Sequence, residues 1–156
     1  MTTFMLQVAE VLAGEPPLDA SGTAIVPALR PSRPKSIPQA ADDQVALRSL
    51  AEQLVSEANA VLHGGELIEL EDQLRAGELG FQMRYGSRAS SIRTRFGAGA
   101  GFSELSGVGG ADARRLADFA VSTSETLSAG AVELADPDQL GPLILLLIAP
   151  ATPAFG

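Results

Sequence analysis

Three runs of alternating apolar and polar residues, separated by short turn sequences, occupy residues 66–96. The runs are ELIELEDQL (66–74), LGFQMRY (79–85) and RASSIRTRF (88–96), with RAGE between the first two and Gly86–Ser87 between the last two. Successive side chains of a strand point to opposite faces, so this alternation is typical of strands that bury one face. Short glycine-containing turns connect antiparallel neighbours. We therefore expect a three-stranded antiparallel β-meander.

The register of this meander follows from its two sets of side chains. Pairing Leu74 with Leu79 and Tyr85 with Arg88 places an apolar set on one face and a polar set on the other. The apolar set comprises Ile68, Leu70, Leu74, Leu79, Phe81, Met83, Tyr85, Ile92 and Phe96. The polar set comprises Glu69, Glu71, Gln73, Gln82, Arg84, Ser91, Arg93 and Arg95. A slip of one residue would mix the two sets, so we expect this register.

The polar set gathers arginines in a chain of net charge −8. In the expected register Glu69 lies opposite Arg84, and Glu78 lies opposite Arg95. Opposite charges across neighbouring strands help to specify register. Two interpretations stay open: an ordinary polar sheet face, or a surface that binds an acidic protein. In the second case the contact residues are Glu69, Glu71, Arg84, Arg93 and Arg95.

Helical patterns flank the meander. An amphipathic helix is expected to begin at Asp42 or Asp43 and to end at Gly64–Gly65, because glycine favours the geometry that ends a helix. Its apolar stripe comprises Val45, Leu47, Leu50, Leu54, Ala58, Val61 and Leu62. A second helix is expected over about 111–128. Residues 97–110 contain six glycines and are expected to form a flexible loop.

The two ends of the chain differ from the middle. Residues 4–13 are apolar and fit a helix or a strand equally well. Residues 14–40 hold six prolines, which favour an extended arm that is neither a helix nor a central strand. The run LILLLIA (143–149) must be buried, either in the chain's own core or against a partner subunit. The expected organisation is therefore an N-terminal apolar segment and Pro-rich arm (1–40), an α-β-β-β-α domain (41–135), and an apolar C-terminal tail (136–156).

Composition excludes several chemistries. The chain has no cysteine, which removes disulfides, thiolate catalysis and cysteine-containing metal sites. A pI near 4.5 opposes binding to nucleic acid or to anionic membrane surfaces. His63 is the sole histidine, so a site with several histidine ligands is impossible. The glycine-rich segment matches neither a P-loop nor a dinucleotide fingerprint. We expect no metal and no cofactor.

These observations predict an α+β protein, with amphipathic helices packed on one face of the sheet, that binds proteins rather than catalysing a reaction. Adaptors, assembly components and immunity-like proteins are of this kind, and a protein partner, self-association or both are expected. The alternative is a small-molecule-binding domain or cofactor-free enzyme, with a pocket between sheet and helices near His63, Met83 and Tyr85. No nucleic-acid or membrane partner is expected. An arginine-rich, lysine-poor composition and the lack of a signal-peptide pattern favour a cytoplasmic bacterial protein.

Overall fold

The chain has an α+β fold, as expected from the sequence. The computed structural model describes residues 2–14, 27–62, 66–106 and 132–149. Its helices are α1 (Thr3–Leu12), α2 (Ile37–Val61) and α3 (Leu140–Ile148), with a 3-10 helix at Pro137–Gln139. Its strands are β1 (Leu29–Pro31), β2 (Pro34–Ser36), β3 (Glu69–Arg75), β4 (Glu78–Tyr85), β5 (Arg88–Gly97), β6 (Ala100–Ser106) and β7 (Val132–Leu134).

Five strands form one antiparallel sheet in the order β2-β6-β5-β4-β3, and β1 pairs with β7 in a separate two-stranded ribbon. Leu74 lies opposite Leu79, and Tyr85 lies opposite Arg88. The register predicted for the meander is therefore confirmed. A slip of one residue would have placed the arginines of β4 and β5 in the core, and the two-residue turns leave no room for a larger slip.

The glycine-rich segment is not a loop over residues 97–106, so this part of the sequence prediction is wrong. Ala98 and Gly99 both have positive φ, 55° and 78°, as the central residues of a type I′ hairpin turn require. Strand β6 follows this turn and gives the meander a fourth strand. The backbone of Gly101 lies against Ala40 of α2, so there is no room for a side chain at this position. Residues 107–110 and the helix predicted over 111–128 lie outside the described residues.

Helix α2 begins earlier than the sequence suggested. Its N-cap is Ser36, whose hydroxyl accepts a hydrogen bond from the amide of Gln39 at 3.3 Å. Pro38 lies in the first turn, where a missing amide hydrogen costs nothing, so the predicted start at Asp42 or Asp43 is wrong. The helix ends at Val61. Gly64–Gly65, the predicted end, is outside the described residues.

The apolar stripe predicted for α2 is confirmed in part. Ala58 and Leu62 are buried, and Leu47, Leu50, Leu54 and Val61 pack partly buried against the core. The buried residues of the helix are Ala40, Gln44, Ala51, Val55 and Ala58. Val45 was placed in the stripe but is 59 % exposed. Gln44 takes a core position because its amide has two partners in the sheet. It donates to the Ile92 carbonyl at 3.0 Å and accepts from the Thr94 hydroxyl at 2.7 Å.

All three described helices share one core with the apolar face of the sheet. Residues 4–13, left open between helix and strand, are helical and bury Val8 and Val11. The apolar run of the tail forms α3, most of whose side chains are buried in the chain's own core. Arg88 of β5 donates hydrogen bonds to the carbonyls of Leu146, at 3.0 Å, and Ala149. A cation at the carbonyl end of a helix interacts favourably with the helix dipole. Arg88 therefore fixes α3 on the sheet.

The proline-rich arm is partly ordered in short strands. Strand β2 lies at the edge of the large sheet and β1 in the two-stranded ribbon, positions where proline removes no hydrogen bond of a central ladder. Residues 15–26 lie outside the described residues. No helix in the described part of the chain is long and apolar enough to cross a membrane.

Candidate functional site

The polar face of the sheet is the first candidate site. Because α1, α2 and α3 all pack into the core on the apolar face, none of the described helices covers the polar face. The five residues that the sequence predicted as contacts, Glu69, Glu71, Arg84, Arg93 and Arg95, all lie there, as the strand register requires. The structure therefore brings the predicted contact residues together on one surface.

Arg84 is the centre of an ion-pair group at one end of the face. Its Nη2 lies 2.8 Å from Oε2 of Glu69, the residue directly opposite on β3, and 3.4 Å from Oε2 of Glu71. The hydrogen bond that Arg84 donates to Glu69, helped by the negative charge of both carboxylates, raises the pKa of Arg84 further above its ordinary value. Arg84 thus has its charge balanced within the chain.

Arg95 is the centre of a second group at the other end of the face. Its Nη2 lies 2.6 Å from Oε2 of Glu104, and its Nε lies 3.5 Å from Oε1 of Glu78. Glu78 lies directly opposite Arg95 on β4, as predicted, whereas Glu104 comes from β6. Glu104 was not predicted as a contact residue, because its segment was expected to form a loop.

Arg93 lies between these two groups and is the least satisfied of the three arginines. Its only ion contact within the described residues is with Glu104, at 4.0 Å, and its Nε is buried without a hydrogen bond. Its side chain crosses above Gly80: a Cβ on Gly80 would lie 2.7 Å from Cγ of Arg93. Because Gly80 has no side chain, Arg93 can lie close to the sheet. The terminal nitrogens of Arg93 make no hydrogen bond to the described chain.

The second group of predicted residues does not form one pocket within the described chain. Met83 is completely buried in the core. Tyr85 packs against the core and borders an open hollow of about 240 Å³ together with Arg88 and Ala149. His63 lies outside the described residues.

A buried ion cluster, which the sequence analysis missed, lies between α2, β2 and the β1–β7 ribbon. Glu133 of β7 is its centre, with a side chain only 5 % exposed. Its Oε1 lies 3.2 Å from Nζ of Lys35, and its Oε2 lies 3.3 Å from Nε of Arg30. Lys35 also contacts Asp43 Oδ2 at 3.2 Å. Two positive and two negative groups therefore balance each other.

This cluster borders a cavity of about 130 Å³ between α2, the sheet and β7. Its apolar wall includes Leu47, Ile92, Leu105 and Leu134. Two sequence signals pointed to the cluster: Lys35 is the only lysine, and Glu133 stands between the apolar residues Val132 and Leu134. Neither signal identifies a partner, because the paired residues are far apart in the chain.

Comparisons with known proteins add no functional information. No protein-family model, no curated protein and no solved structure matches this chain. Within the described ranges, no group of three or more aspartate, glutamate or histidine side chains is arranged to hold a metal ion.

Proposed function

We propose that this chain is a non-catalytic protein-interaction module whose polar sheet face binds an acidic surface of a partner protein. The observation that carries the proposal is Arg93, a partly exposed guanidinium with no hydrogen bond to the described chain, held between two arginines that are already paired. Guanidinium groups bind carboxylates through two parallel hydrogen bonds and are enriched at protein interfaces.

The packing behind this face supports the proposal. Phe81 and Ile92 anchor β4 and β5 in the core, so the side chains on the opposite face project from a rigid base. A preorganised surface loses less conformational entropy on binding than a flexible one. Arg84 and Arg95, which their carboxylates hold in place, would contribute mainly to specificity by rejecting partners with the wrong charge pattern.

The apolar ends of the chain were also expected to make contacts, but they contribute less to this proposal. The apolar side chains of α1 and α3 are largely inside the core of the same chain. The proposal therefore rests on the sheet face and not on the apolar ends of the chain.

Affinity capture from a lysate of the source organism tests the proposal. The wild-type chain, the double variant Arg84→Glu/Arg93→Glu, and the control Arg33→Glu would be compared. Arg33 is exposed and lies between β1 and β2, outside the strands β3, β4 and β5 that carry the predicted contact residues. We expect a protein that wild type and control retain and that the double variant loses, while circular dichroism shows all three folded. Equal capture by all three would contradict the proposal.

A second candidate function, small-molecule binding, is favoured by the cavity beside Glu133. Its volume of about 130 Å³ is close to that of engineered cavities that bind benzene, about 150 Å³. The terminal guanidinium nitrogens of Arg30 make no hydrogen bond to the described chain, so they could receive the carboxylate of a ligand whose apolar body contacts Leu47 and Leu105.

Thermal unfolding with a panel of small monocarboxylates and matched amines tests this candidate, since a ligand that binds only the native state raises the melting temperature. We expect stabilisation by a carboxylate that is lost when Ala46→Phe fills the cavity. No shift with any acid, or an equal shift in the filled variant, would contradict it.

A further inference from the structure

Strand β3 is an edge of the five-stranded sheet. Arg75 and Glu78 lie opposite each other across a two-residue turn, and the pair that flanks such a turn is hydrogen-bonded. In an antiparallel ladder hydrogen-bonded and non-bonded pairs alternate. The amides and carbonyls of Leu70, Asp72 and Leu74 therefore point away from β4, towards the open edge.

One position of this row is already occupied. The Asn59 side chain of α2 accepts a hydrogen bond from the Ile68 amide at 2.8 Å and donates one to the Ile68 carbonyl at 3.0 Å. These are the two bonds that a neighbouring strand would make. Beyond Ile68, the described chain offers no such partner to the outward groups of Leu70, Asp72 and Leu74. The edge is thus covered at one end and open along the rest.

The open part of the edge also exposes apolar side chains. Leu74 is 70 % exposed and Val45 of α2 is 59 % exposed, and both border an apolar hollow of about 160 Å³. Leu79 and Phe81 form its floor. An exposed edge strand beside an apolar hollow is a template for an added strand, whose backbone would bond to the edge and whose side chains would fill the hollow.

We propose that the occupant is a second copy of this chain, paired antiparallel through β3 about a two-fold axis at Asp72. In this register Glu69 of each copy lies opposite Arg75 of the other, and Leu70 lies opposite Leu74. Three residues of each strand exchange hydrogen bonds, which gives about six bonds in all. The self-complementary order of charges is the reason for choosing a second copy: Arg75 has no ion pair with any described residue, and the pairing provides one on each side of the axis.

The two Asp72 side chains approach each other at the axis, but each carboxylate is already neutralised. Nε of Arg48 lies 2.7 Å from Asp72 Oδ1, and Nη2 lies 3.4 Å from Oδ2. Centring the pair on Gln73 instead would place Asp72 opposite Leu74 and leave Glu69 beyond the end of the opposite strand. The Asp72-centred register therefore matches both charge and apolar character. It joins two five-stranded sheets into a continuous one and leaves Arg84, Arg93 and Arg95 of the polar face free, so it goes beyond the protein-binding function proposed above.

The oligomeric state of the full chain in solution tests this inference. Light scattering over a dilution series should give a dimer for wild type and for the control Arg33→Glu, which makes the same charge change away from β3. Arg75→Glu places two pairs of like charges across the interface and should weaken the dimer about tenfold or more. A monomeric wild type, or a dimer that Arg75→Glu leaves unchanged, would overturn the inference. In the monomeric case the edge would be left to an extended segment of another protein.

A mixing experiment separates this pairing from general damage to the fold. Glu69→Arg should also weaken the dimer, but equal amounts of the Glu69→Arg and Arg75→Glu chains should form a heterodimer, because each mismatched charge then meets its opposite. Failure of the folded chains to combine would contradict the proposed register. Leu74→Lys provides a second test that does not alter the cross-strand charge pair. It places a lysine on an exposed edge position and should give a folded monomer.

Discussion

The carboxamide of Asn59 holds both the amide and the carbonyl of Ile68, at 2.8 and 3.0 Å. A single side chain of α2 thereby completes the hydrogen bonding at the start of the edge strand β3. Because Ile68 is buried, its backbone groups have little access to water, and their bonds to Asn59 are of structural importance. This contact determines where the helix stands relative to the sheet and leaves the rest of the edge available.

Replacing Asn59 by alanine should therefore destabilise the chain. The change leaves one donor and one acceptor of Ile68 without partners, and we expect a loss of about 1–3 kcal/mol in the free energy of unfolding. Urea unfolding measures it. Gln53→Ala is a matched control, since within the described residues the Gln53 amide bonds only to Glu57 on the exposed side of the same helix. Equal stability of the two variants would contradict a structural role for Asn59.

Glycine is required at position 101 but not at position 97. A Cβ at Gly101 would collide with Cβ of Ala40 in α2, which cannot move away without displacing the helix. Gly97→Ala places its methyl group where no atom lies within 4 Å. We expect Gly101→Ala to lose about 1–3 kcal/mol, as overpacked sites do, and Gly97→Ala to unfold at nearly the wild-type urea concentration. The reverse order would show that β6 does not lie against α2.

The buried ion cluster should respond differently to single and double replacement. Glu133→Gln leaves Lys35 and Arg30 without their shared carboxylate, and we expect a loss of about 3 kcal/mol, the lower end for a broken buried pair. Lys35→Met/Glu133→Leu removes the two most buried charges and fills similar volume. Arg30 still loses Glu133, but its side chain is 33 % exposed and can be solvated, so the double variant should recover most of that loss. Chemical denaturation of both variants measures the difference. A double variant as unstable as Glu133→Gln would contradict this expectation. It would mean that the ion pair adds stability of its own, beyond the cost of leaving one charge unpaired.

Acid should weaken the contact between α2 and β3. The hydrogen bond from Arg48 holds the pKa of the Asp72 carboxyl below its ordinary value. A carboxyl whose pKa is lower in the folded chain stabilises the fold at pH values above its pKa in the unfolded chain, which is about 3.9. This stabilisation is lost as the pH falls below that value. The pair is partly exposed, so its contribution should stay below about 1 kcal/mol. The stability difference between wild type and Asp72→Asn should therefore shrink between pH 5 and pH 2, about the range over which such a carboxyl titrates. A constant difference across that range would contradict this account.

The sequence was sufficient to predict the register of β3, β4 and β5, because the arginines of β4 and β5 alternate with buried side chains and the strands are joined by two-residue turns. It failed for β6, whose glycines indicated flexibility when judged by composition. Gly99 is needed for its backbone angle, and Gly101 for the close approach of α2. The start of α2 was missed for a related reason, since Pro38 was taken to exclude a helix although the first turn tolerates it.

The buried cluster could not be predicted, because its partners are separated by about a hundred residues. Lys35 and Glu133 come together only when β2 and β7 take their places, and both strands are three residues long. Such short strands show no detectable alternation. The predicted contact residues of the polar face were easier to find because strand register alone decides which side chains share a face.

Arginine modification with and without the captured partner tests the central claim most directly. Phenylglyoxal reacts with accessible guanidinium groups, and mass spectrometry reports the extent of reaction at each arginine. If the polar face binds the partner, Arg93 should become protected in the complex, while the exposed Arg33, outside strands β3, β4 and β5, reacts as in the free chain. Unchanged reactivity of Arg93 in a complex that protects Arg33 would contradict the assignment of the sheet face as the binding surface.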